Sequence, residues 1–548
     1  MTMFFRFCNL CHKTANVQFI NFQRCYRNTS KKKSSVKRTA FNVEGKTPII
    51  ECKRKEFNFY EGQTYPKREI IQLASKGWHH YKSKGDYFLI QPFVHNQTQN
   101  QTQNQMSEQA EDDAYEDDAY EEDTHDSFKQ FNLDPQLTKI LERYSITKPL
   151  HIQRVGIPKI LNGANTVIAA ETGCGKTLAY LLPMIDEILR WKELEKDRRY
   201  NSPLGLIVTP SRELAFQIGL EARKICQYLG IRTKLFTGGK TKKILLDPPV
   251  EKVDIVVASF GVISKLTTNK VIRLSAVKHI VLDEADALFH ETFQEQLQVF
   301  LKRVPLGFAQ DTNSPKLPAA AQFTVVSATM PSRMSIVLKD IINVDSLVPV
   351  KSNKLHHILV PQKFMRVGAD DKPAELLKYI KPKVARKDQV IVFSNDNKTC
   401  NWVSMFLDNS NIKSVSLNGE MPLYDRNNRY AAFKSGKCRV LCTTNAGSRG
   451  LDTITVRHVL NYDFPTATAD YIHRCGRTGR VGNIKDCRVT NFISTQSELT
   501  VVQKIEKSAR RLKPIPIIDI HHNPDDDVEG FDIEDIKQME QEEFSVPY

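Results

Sequence analysis

Long apolar runs are missing from this 548-residue chain, and no stretch reaches the roughly 18 consecutive apolar residues that a membrane-spanning helix needs. The Phe-rich start is interrupted by Arg6, Asn9 and His12, so it also lacks the unbroken apolar core of a secretory signal. The 11 cysteines follow no disulfide-framework spacing, which favours a reducing compartment with free thiols. The sequence therefore predicts no membrane span and argues against a secreted, disulfide-stapled protein.

Acidic residues are absent from the first 43 positions, although Lys and Arg recur there. Acid-free, Arg-bearing N-termini are typical of mitochondrial transit peptides. We therefore expect residues 1–43 to direct the protein to the mitochondrial matrix. Two short basic clusters, Lys31–Lys33 and Lys37–Arg38, leave import into the nucleus or nucleolus open as the alternative.

Acidic residues are also scarce in the body of the chain, because they are concentrated in two segments. Glu108–Asp126 contains 11 acidic residues and no Lys or Arg, and Asp519–Tyr548 contains 11 acidic residues and one basic residue. The rest carries 77 basic and 41 acidic residues, so the overall net charge of +15 understates how basic it is. Such an excess predicts a polyanionic partner, above all a nucleic acid bound through its phosphates.

The chain is too long for one hydrophobic core, so we expect two or three domains. Two series of short apolar strands alternate with helical stretches, which predicts tandem α/β domains with largely parallel sheets at 128–352 and 353–518. Two flanking segments are predicted to be disordered: the acidic and Gln-rich linker 96–127 and the acidic tail 519–548.

The basic N-terminal extension at 44–95 permits two interpretations. Its scattered aromatic residues, such as Trp78, Tyr81, Tyr87 and Phe88, are suited to stacking on nucleic-acid bases. Alternatively, the segment is a linker that packs partly on the core. The sequence leaves both open.

A glycine-rich loop at Ala170–Thr177 ends in Gly-Lys-Thr, the pattern that cradles phosphates with backbone N–H groups. Lys176 is expected to reach the outer phosphates, and the Thr177 hydroxyl is expected to ligate Mg²⁺. Further along, an apolar run ends in Asp283, which is predicted to hold the same metal ion. The adjacent Glu284 is then placed to orient and deprotonate a water. Together these residues predict a nucleotide-hydrolysis site.

A third motif, His473–Arg480, offers guanidinium groups suited to a γ-phosphate, and Ser327-Ala328-Thr329 lies between it and the first two. In this order the motifs resemble those of the DEAD-box RNA helicases, from about Phe128 to about Pro514. The resemblance implies two tandem RecA-like P-loop domains, the helicase ATP-binding domain first and the helicase C-terminal domain second. It also implies ATP and Mg²⁺ as cofactors and hydrolysis stimulated by RNA.

The resemblance assigns further residues to the nucleotide. Gln153 matches the adenine-recognising Q motif, with Phe128 upstream, and a side-chain amide can donate and accept at once. Asp452 matches a ribose contact, and Arg477 and Arg480 match the arginine fingers. The phosphate-loop residues expected to bind nucleotide are Thr172, Gly173, Cys174, Gly175, Lys176 and Thr177. The residues expected to couple the ATP state to domain closure are Ser327, Thr329 and His473.

RNA contacts are implied on both domains by the same resemblance. The matching positions in the first domain are Pro210, Ser211, Arg212, Gly238 and Gly239, and those in the second are Arg426, Thr444 and Gly450, with Arg449 beside them. Glycines in such motifs let a phosphate approach the main chain. Because gripping phosphate and ribose carries no sequence readout, specificity is expected from the flanks or from partners.

Four positions depart from the family pattern. Ile146 stands where an aromatic residue is usual, which predicts weaker adenine packing. Ser259–Val262 replaces Thr-Pro-Gly-Arg and loses a cation, Leu423 replaces Gln, and Asn445 replaces Asp. The last three predict altered RNA affinity or unwinding rather than altered ATP hydrolysis.

We therefore expect an ATP-dependent RNA helicase, a monomer, that binds single-stranded RNA across two domains and unwinds short duplexes or remodels ribonucleoproteins. Two short stretches, Leu73–Trp78 and Asp86–Phe88, resemble a mitochondrial DEAD-box subfamily implicated in assembly of the large ribosomal subunit. This implies ribosomal RNA as the ligand and ribosome-assembly proteins as partners.

Two alternatives stay open, a weakly catalytic ATP-gated RNA clamp or scaffold and a nucleolar helicase of ribosome biogenesis. A P-loop kinase or transporter ATPase is disfavoured by the second α/β domain and the distant arginine motif.

Overall fold

Short apolar runs rich in Val and Ile form the strands of two sheets, as the sequence predicts. The computed structural model describes residues 48–65, 69–92, 127–194, 198–239, 241–307, 318–331, 333–352, 354–448, 450–451, 453–480 and 486–517. The predicted transit segment, nearly all of the predicted linker and the acidic tail lie outside the described residues. Among the described helices, none is long and apolar enough to cross a bilayer.

The N-terminal extension contains three short strands, β1 (Pro48–Cys52), β2 (Phe59–Tyr60) and β3 (Tyr87–Ile90). β1 lies in the middle and pairs antiparallel with both of the others. This part of the chain is therefore folded rather than an extended linker.

Domain one follows as a seven-stranded parallel sheet in the order β10-β4-β9-β8-β5-β7-β6. Its strands are β4 (Thr166–Ala169), β5 (Gly205–Thr209), β6 (Thr233–Phe236), β7 (Ile255–Ser259), β8 (His279–Asp283), β9 (Gln322–Ser327) and β10 (Val348–Lys351). Its helices are α1 (Pro135–Arg143), α2 (His151–Leu161), α3 (Lys176–Leu194), α4 (Arg212–Cys226), α5 (Thr241–Leu246), α6 (Phe260–Thr268), α7 (Ala285–Leu288), α8 (Glu291–Leu301) and α9 (Met334–Leu338).

Helices cover both faces of this sheet, so its strands are apolar on both sides. In β8 the side chain of Val281 belongs to the core on one face, whereas Ile280 and Leu282 belong to the core on the other. Because both faces of β8 are buried, its sequence is an unbroken apolar run, which ends at the Asp283 carboxylate. The carboxyl end of β8 therefore presents Asp283 at the edge of the sheet where the phosphate loop also lies.

Domain two begins with β11 and has a parallel sheet in the order β13-β14-β12-β15-β16-β11. Its strands are β11 (Gln362–Arg366), β12 (Val390–Phe393), β13 (Ser414–Leu417), β14 (Val440–Thr443), β15 (His458–Asn461) and β16 (Arg488–Ile493). Its helices are α10 (Lys372–Ala385), α11 (Asn397–Asn409), α12 (Leu423–Lys434), α13 (Asn445–Ser448), α14 (Thr468–Cys475) and α15 (Gln496–Arg510).

The three N-terminal strands extend the sheet of domain two, because β3 pairs antiparallel with β11. Phe88 of β3 stacks on Phe364 of β11 with ring centroids 4.7 Å apart, and Trp78 packs on Phe88. Trp78 and Phe88 are both fully buried and cannot stack on bases, whereas Tyr81 is 69% exposed. The extension is therefore part of domain two, which corrects the expectation that these two aromatic rings face nucleic acid.

A buried ion pair on α15 fastens the extension in place. The Glu506 carboxylate accepts hydrogen bonds from the backbone N–H groups of Ala74 (2.6 Å) and Ser75 (3.0 Å), and it pairs with Arg510 at 2.8 Å. Arg510 in turn donates to the carbonyl of Phe57 at 2.7 Å. Since Glu506 and Arg510 are both essentially inaccessible to water, each depends on these partners for its solvation.

Replacing Glu506 with Ala is expected to destabilise domain two strongly. The change leaves Arg510 buried without its anion and two backbone N–H groups without acceptors, at a cost of about 3–5 kcal/mol. Urea unfolding of the full chain, followed by tryptophan fluorescence, measures the shift in midpoint. The matched control is Glu375→Ala, which breaks the pair with the exposed Lys378 and is expected to change the midpoint little. Equal midpoints for the two variants would contradict the prediction.

Candidate active site

The phosphate loop connects β4 to the first turn of α3. Gly173 and Gly175 adopt φ values of 85° and 92°, and an ideal Cβ on Gly175 would come within 2.6 Å of the Gln153 amide nitrogen. Glycine is therefore required there on both backbone and steric grounds. The Lys176 ammonium donates to the carbonyls of Ala170 (2.6 Å) and Glu171 (2.7 Å), which holds it over the loop. A cation and a helix N-terminus at one place suit a phosphate group.

Asp283 lies buried beside this loop, with both carboxylate oxygens engaged. One accepts from the Tyr180 hydroxyl at 2.8 Å, and the other accepts from the Glu284 backbone N–H at 2.8 Å. Burial raises the pKa of Asp283 to about 6, against the hydrogen bond from Tyr180. Tyr180 lies on α3, one turn beyond Thr177. It was not predicted as a site residue, because in the sequence it is indistinguishable from the other buried positions of this helix.

The oxygens at this point fit Mg²⁺. Thr177 and Asp283 offer hydroxyl and carboxylate ligands, which a hard cation prefers. Glu284 adopts a left-handed backbone conformation with φ of 48°, unusual for a residue with a side chain. Its Oε2 is buried and has no hydrogen-bond partner among the described residues. Such an acceptor can hold a water next to the metal position.

Domain two places its arginine motif directly on the phosphate loop. The Thr172 hydroxyl donates to the carbonyl of Gly476 at 3.0 Å, and a Cβ on Gly173 would lie 2.9 Å from Cγ of Arg480. Arg477 is buried and its guanidinium lies 3.8 Å from the Glu284 carboxylate. The structure therefore brings the predicted loop, base and arginine fingers together, in what we call the closed arrangement.

Asp286 links the two domains and was missed in the sequence, where it is only the last letter of the Asp-Glu-Ala-Asp motif. Its Oδ2 accepts from the Thr329 hydroxyl at 2.9 Å and contacts the His473 ring at 2.5 Å. Ser327 accepts from the Thr329 backbone N–H at 3.2 Å. The three predicted coupling residues therefore belong to one connected set whose centre is Asp286.

Charge strengthens this contact. Burial opposes the ionised forms of both partners, yet the carboxylate of Asp286 raises the pKa of His473, and the imidazolium lowers the pKa of Asp286 well below its usual range. The pair is therefore charged in the closed arrangement at a pH where an isolated histidine would be partly neutral.

Gln153 and Phe128 are not exposed in this arrangement. The Gln153 side chain accepts from the Leu150 backbone N–H at 2.8 Å and donates to the Gly175 carbonyl at 3.1 Å. It thus holds the phosphate loop against α2. Phe128 is 2% exposed and packs in the core of domain one, where Ile146 also lies. Their contacts with adenine stay predictions.

The predicted RNA residues of domain one gather at the start of α4. Ser211, next to Pro210, caps this helix by accepting from the Leu214 backbone N–H at 3.2 Å. An ideal Cβ on Gly238 would lie 3.9 Å from the Arg212 guanidinium, and Gly239 has a φ of 99° that favours glycine. These residues therefore form one continuous patch.

Domain two meets the same patch. Gly450 lies so close that a Cβ would come within 2.3 Å of the Leu214 backbone nitrogen. Arg426 is 4% exposed and pairs with Glu213 of domain one at 2.7 Å. Arg426 therefore forms an ion pair between the domains, and its contact with RNA stays a prediction. Thr444 accepts from the backbone N–H of Gly447 at 3.3 Å.

Two of the family departures have a structural reason. Phe260, within the altered Ser259–Val262 segment, is buried at the start of α6 and packs edge-on against Phe293 and Phe300. Asn445 keeps an acceptor where the family has a carboxylate, because its side-chain oxygen accepts from Arg474 at 2.7 Å. Arg449, Asp452 and the side chain of Leu423 lie outside the described residues.

Closure of the two domains is expected to weaken as pH rises through the raised pKa of His473. The stabilisation is fully present below the ordinary histidine pKa, and deprotonation removes the charge that Asp286 binds. Energy transfer between fluorophores on the two domains, with nucleotide present, measures the closed fraction against pH. His473→Gln is expected to flatten this profile, whereas the control His290→Gln, at the exposed N-terminus of α8, is expected to keep it. A pH profile unchanged by His473→Gln would contradict the assignment.

Comparisons with known proteins agree with this geometry. Residues 150–336 match the DEAD/DEAH box helicase family and residues 371–482 match the helicase conserved C-terminal domain. The probable ATP-dependent RNA helicase DDX28 of Mus musculus is 34% identical over 485 residues, with 85% of each chain covered. The ATP-dependent RNA helicase FAL1 of Vanderwaltozyma polyspora is 32% identical over 395 residues, covering 71% of this chain and 92% of that one.

Solved structures share the fold. Dbp5 of S. cerevisiae bound to RNA and ADP BeF3 superposes with a TM-score of 0.57 at 24% identity, covering 70% of this chain and 94% of that one. The two parallel-sheet domains are thus RecA-like, as the sequence predicts. With two family matches and relatives 34% and 32% identical over most of their length, the chain belongs to the DEAD-box ATP-dependent RNA helicases.

Proposed function

We propose that hydrolysis takes place where the closed arrangement joins the two domains. Lys176 neutralises the outer phosphates, Thr177 and Asp283 hold Mg²⁺, and Glu284 orients and deprotonates the attacking water. When bound, Mg²⁺ neutralises charge on the phosphate oxygens. The observation that carries this proposal is the 3.8 Å approach of Arg477 to Glu284 across the domain boundary.

Arg477 and Arg480 act as arginine fingers in this proposal. They belong to domain two, while the base and the phosphate loop belong to domain one, so the set is complete only in the closed arrangement. Hydrolysis then depends on closure, and RNA bound across both domains favours closure. The contact of Gly450 with the patch at Ser211 supports a shared RNA surface, because closure makes that surface continuous.

Glu284→Gln is expected to bind ATP but to lose RNA-stimulated hydrolysis and to accumulate in the closed, RNA-bound form, because the amide cannot take the proton of the water. Lys176→Ala is expected to lose nucleotide affinity as well as turnover, since it removes the charge opposite the phosphates. Phosphate release and binding of a fluorescent nucleotide separate the two effects.

Wild-type turnover by Glu284→Gln would overturn the assignment of the base. Wild-type protein whose slow turnover does not respond to RNA would instead favour the ATP-gated clamp or scaffold.

We further propose that the helicase works in mitochondria on ribosomal RNA, during assembly of the large ribosomal subunit. The acid-free, basic segment 1–43 supports import, and the stretches Leu73–Trp78 and Asp86–Phe88 support the subfamily. Within these stretches Trp78 and Phe88 are buried where the extension meets β11. A nucleolar role in ribosome biogenesis is the alternative.

A fluorescent reporter fused to residues 1–43 is expected to enter mitochondria, because Arg and Lys without acidic residues suit import. A second fusion, in which Lys31, Lys32, Lys33, Lys37 and Arg38 are changed to Gln, is expected to remain mitochondrial in part through Arg6, Arg24 and Arg27. Nucleolar signal that disappears in this second fusion would overturn the mitochondrial proposal. Crosslinking the full chain to RNA in cells and sequencing the recovered RNA then tests whether the ligand is ribosomal.

A further inference from the structure

A cavity of about 390 Å³ lies at the amino edge of the domain-two sheet. Three connections surround it: the one that leads from α10 into β12, the one that leads from α12 into β14, and the one that enters β15. The predicted RNA residue Thr444 follows the carboxyl end of β14, so it lies at the opposite edge of the same sheet. None of the residues that line the cavity has been assigned to ATP or RNA.

The cavity is lined by cations. They are Arg386, Lys387, Lys434, Arg439 and Arg457, against a single acidic residue, Asp388. Asp388 is already paired, with Arg457 and with the ring of His458, each at 3.4 Å. The lining therefore carries five cations against one carboxylate that is already engaged.

Further basic side chains, Lys383 and Arg488, lie close to the cavity. Burial, together with the nearby Arg488 and Arg386, lowers the pKa of Lys383 to about 8. Burial and the positive charge of Lys383 likewise lower the pKa of His458. Like charges are thus crowded closely enough to disfavour one another, and a bound anion would relieve that repulsion.

Helix dipoles explain only part of the cluster. Arg386 caps the C-terminus of α10 and Lys434 is the last residue of α12, where a cation stabilises the helix end. Arg439 and Arg457 do not lie at a helix C-terminus, because each directly precedes a strand. Gly436, with a φ of 74°, lies against the Arg439 guanidinium, and an ideal Cβ there would be 3.2 Å from it. The turn therefore leaves room for this guanidinium.

From these observations we propose that the cavity binds the phosphodiester backbone of RNA, as a second site apart from the cleft between the domains. Every lining side chain is polar or charged. An acidic protein partner would need apolar anchors, which this surface does not offer. It offers no aromatic ring for stacking either, so binding is through phosphates and independent of sequence.

The site would hold a flanking part of a long RNA while the cleft acts on a single-stranded part. The test uses the full-length protein with Arg386, Lys387 and Arg439 changed to Gln. The control changes the exposed Lys139, Lys302 and Lys339 of domain one to Gln and removes the same charge. Both proteins are titrated, with an ATP analogue present, against a short single strand that spans only the cleft and against the same strand extended by a duplex.

The cavity variant is expected to bind the short strand like the wild type and to bind the extended RNA about tenfold or more weakly at low salt. The steepness of its plot of log affinity against log salt should fall by about 2–3 for the extended RNA, as expected for three lost phosphate contacts. The control should match the wild type for both RNAs. Thermal unfolding and ATPase activity with the short strand verify that the variant is folded.

Three results would overturn the proposal. The first is equal affinity of the cavity variant and the control for the extended RNA. The second is an equal loss for both RNAs, which would assign the cations to the cleft. The third is unchanged RNA binding together with lost binding of a poly-glutamate peptide, which would identify an acidic protein as the ligand.

Discussion

The carboxylate of Asp286 is the point on which the closed arrangement depends, since it contacts residues of both domains at once. It accepts from Thr329 in its own domain and pairs with His473 in the other. A buried charge with a missing partner is costly, so separation of the domains is opposed unless water or another cation replaces the imidazolium. The contacts of Thr172 with Gly476 and of Glu213 with Arg426 lie on the same boundary and share this dependence.

The candidate nucleotide site and the predicted RNA patch are therefore connected through side chains rather than by proximity alone. Ser327 ends β9 and Thr329 follows two residues later, and their contacts lead through Asp286 to His473 of the arginine motif. The Glu213 and Arg426 pair occupies the side where RNA is predicted to lie. Both sets of contacts need the same relative position of the domains, so whatever stabilises one set favours the other. Through this shared position, binding at one candidate site would favour binding at the other.

Local motifs could be predicted from the sequence because each is a short segment with its own backbone requirement. The phosphate loop needs its glycines at positive φ, and Asp283 must end a buried strand, so both are visible in the order of residues. Asp286 could not be given its role, because its partner His473 is 187 positions away and nothing in either segment indicates the other. The same limit applies to the pair of Arg426 with Glu213, which no local motif indicates, and the RNA contact of Arg426 stays a prediction. For the extension, composition suggested a basic flank, whereas its decisive contacts are with β11 and Glu506, which lie more than 250 and 400 residues further along the chain.

The order of strands in the second sheet has a consequence for biosynthesis. β3 is synthesised before domain one, and its partner β11 only afterwards. The segment of β1 to β3, which we call the ribbon and which contains Trp78 and Phe88, therefore stays unpaired with β11 until all of domain one has been synthesised. In the finished protein that ribbon covers the outer edge of β11. A chain that began at domain one would leave this edge and Phe364 open to other strands. In the folded protein the ribbon therefore keeps the edge of β11 from pairing with a strand of another chain.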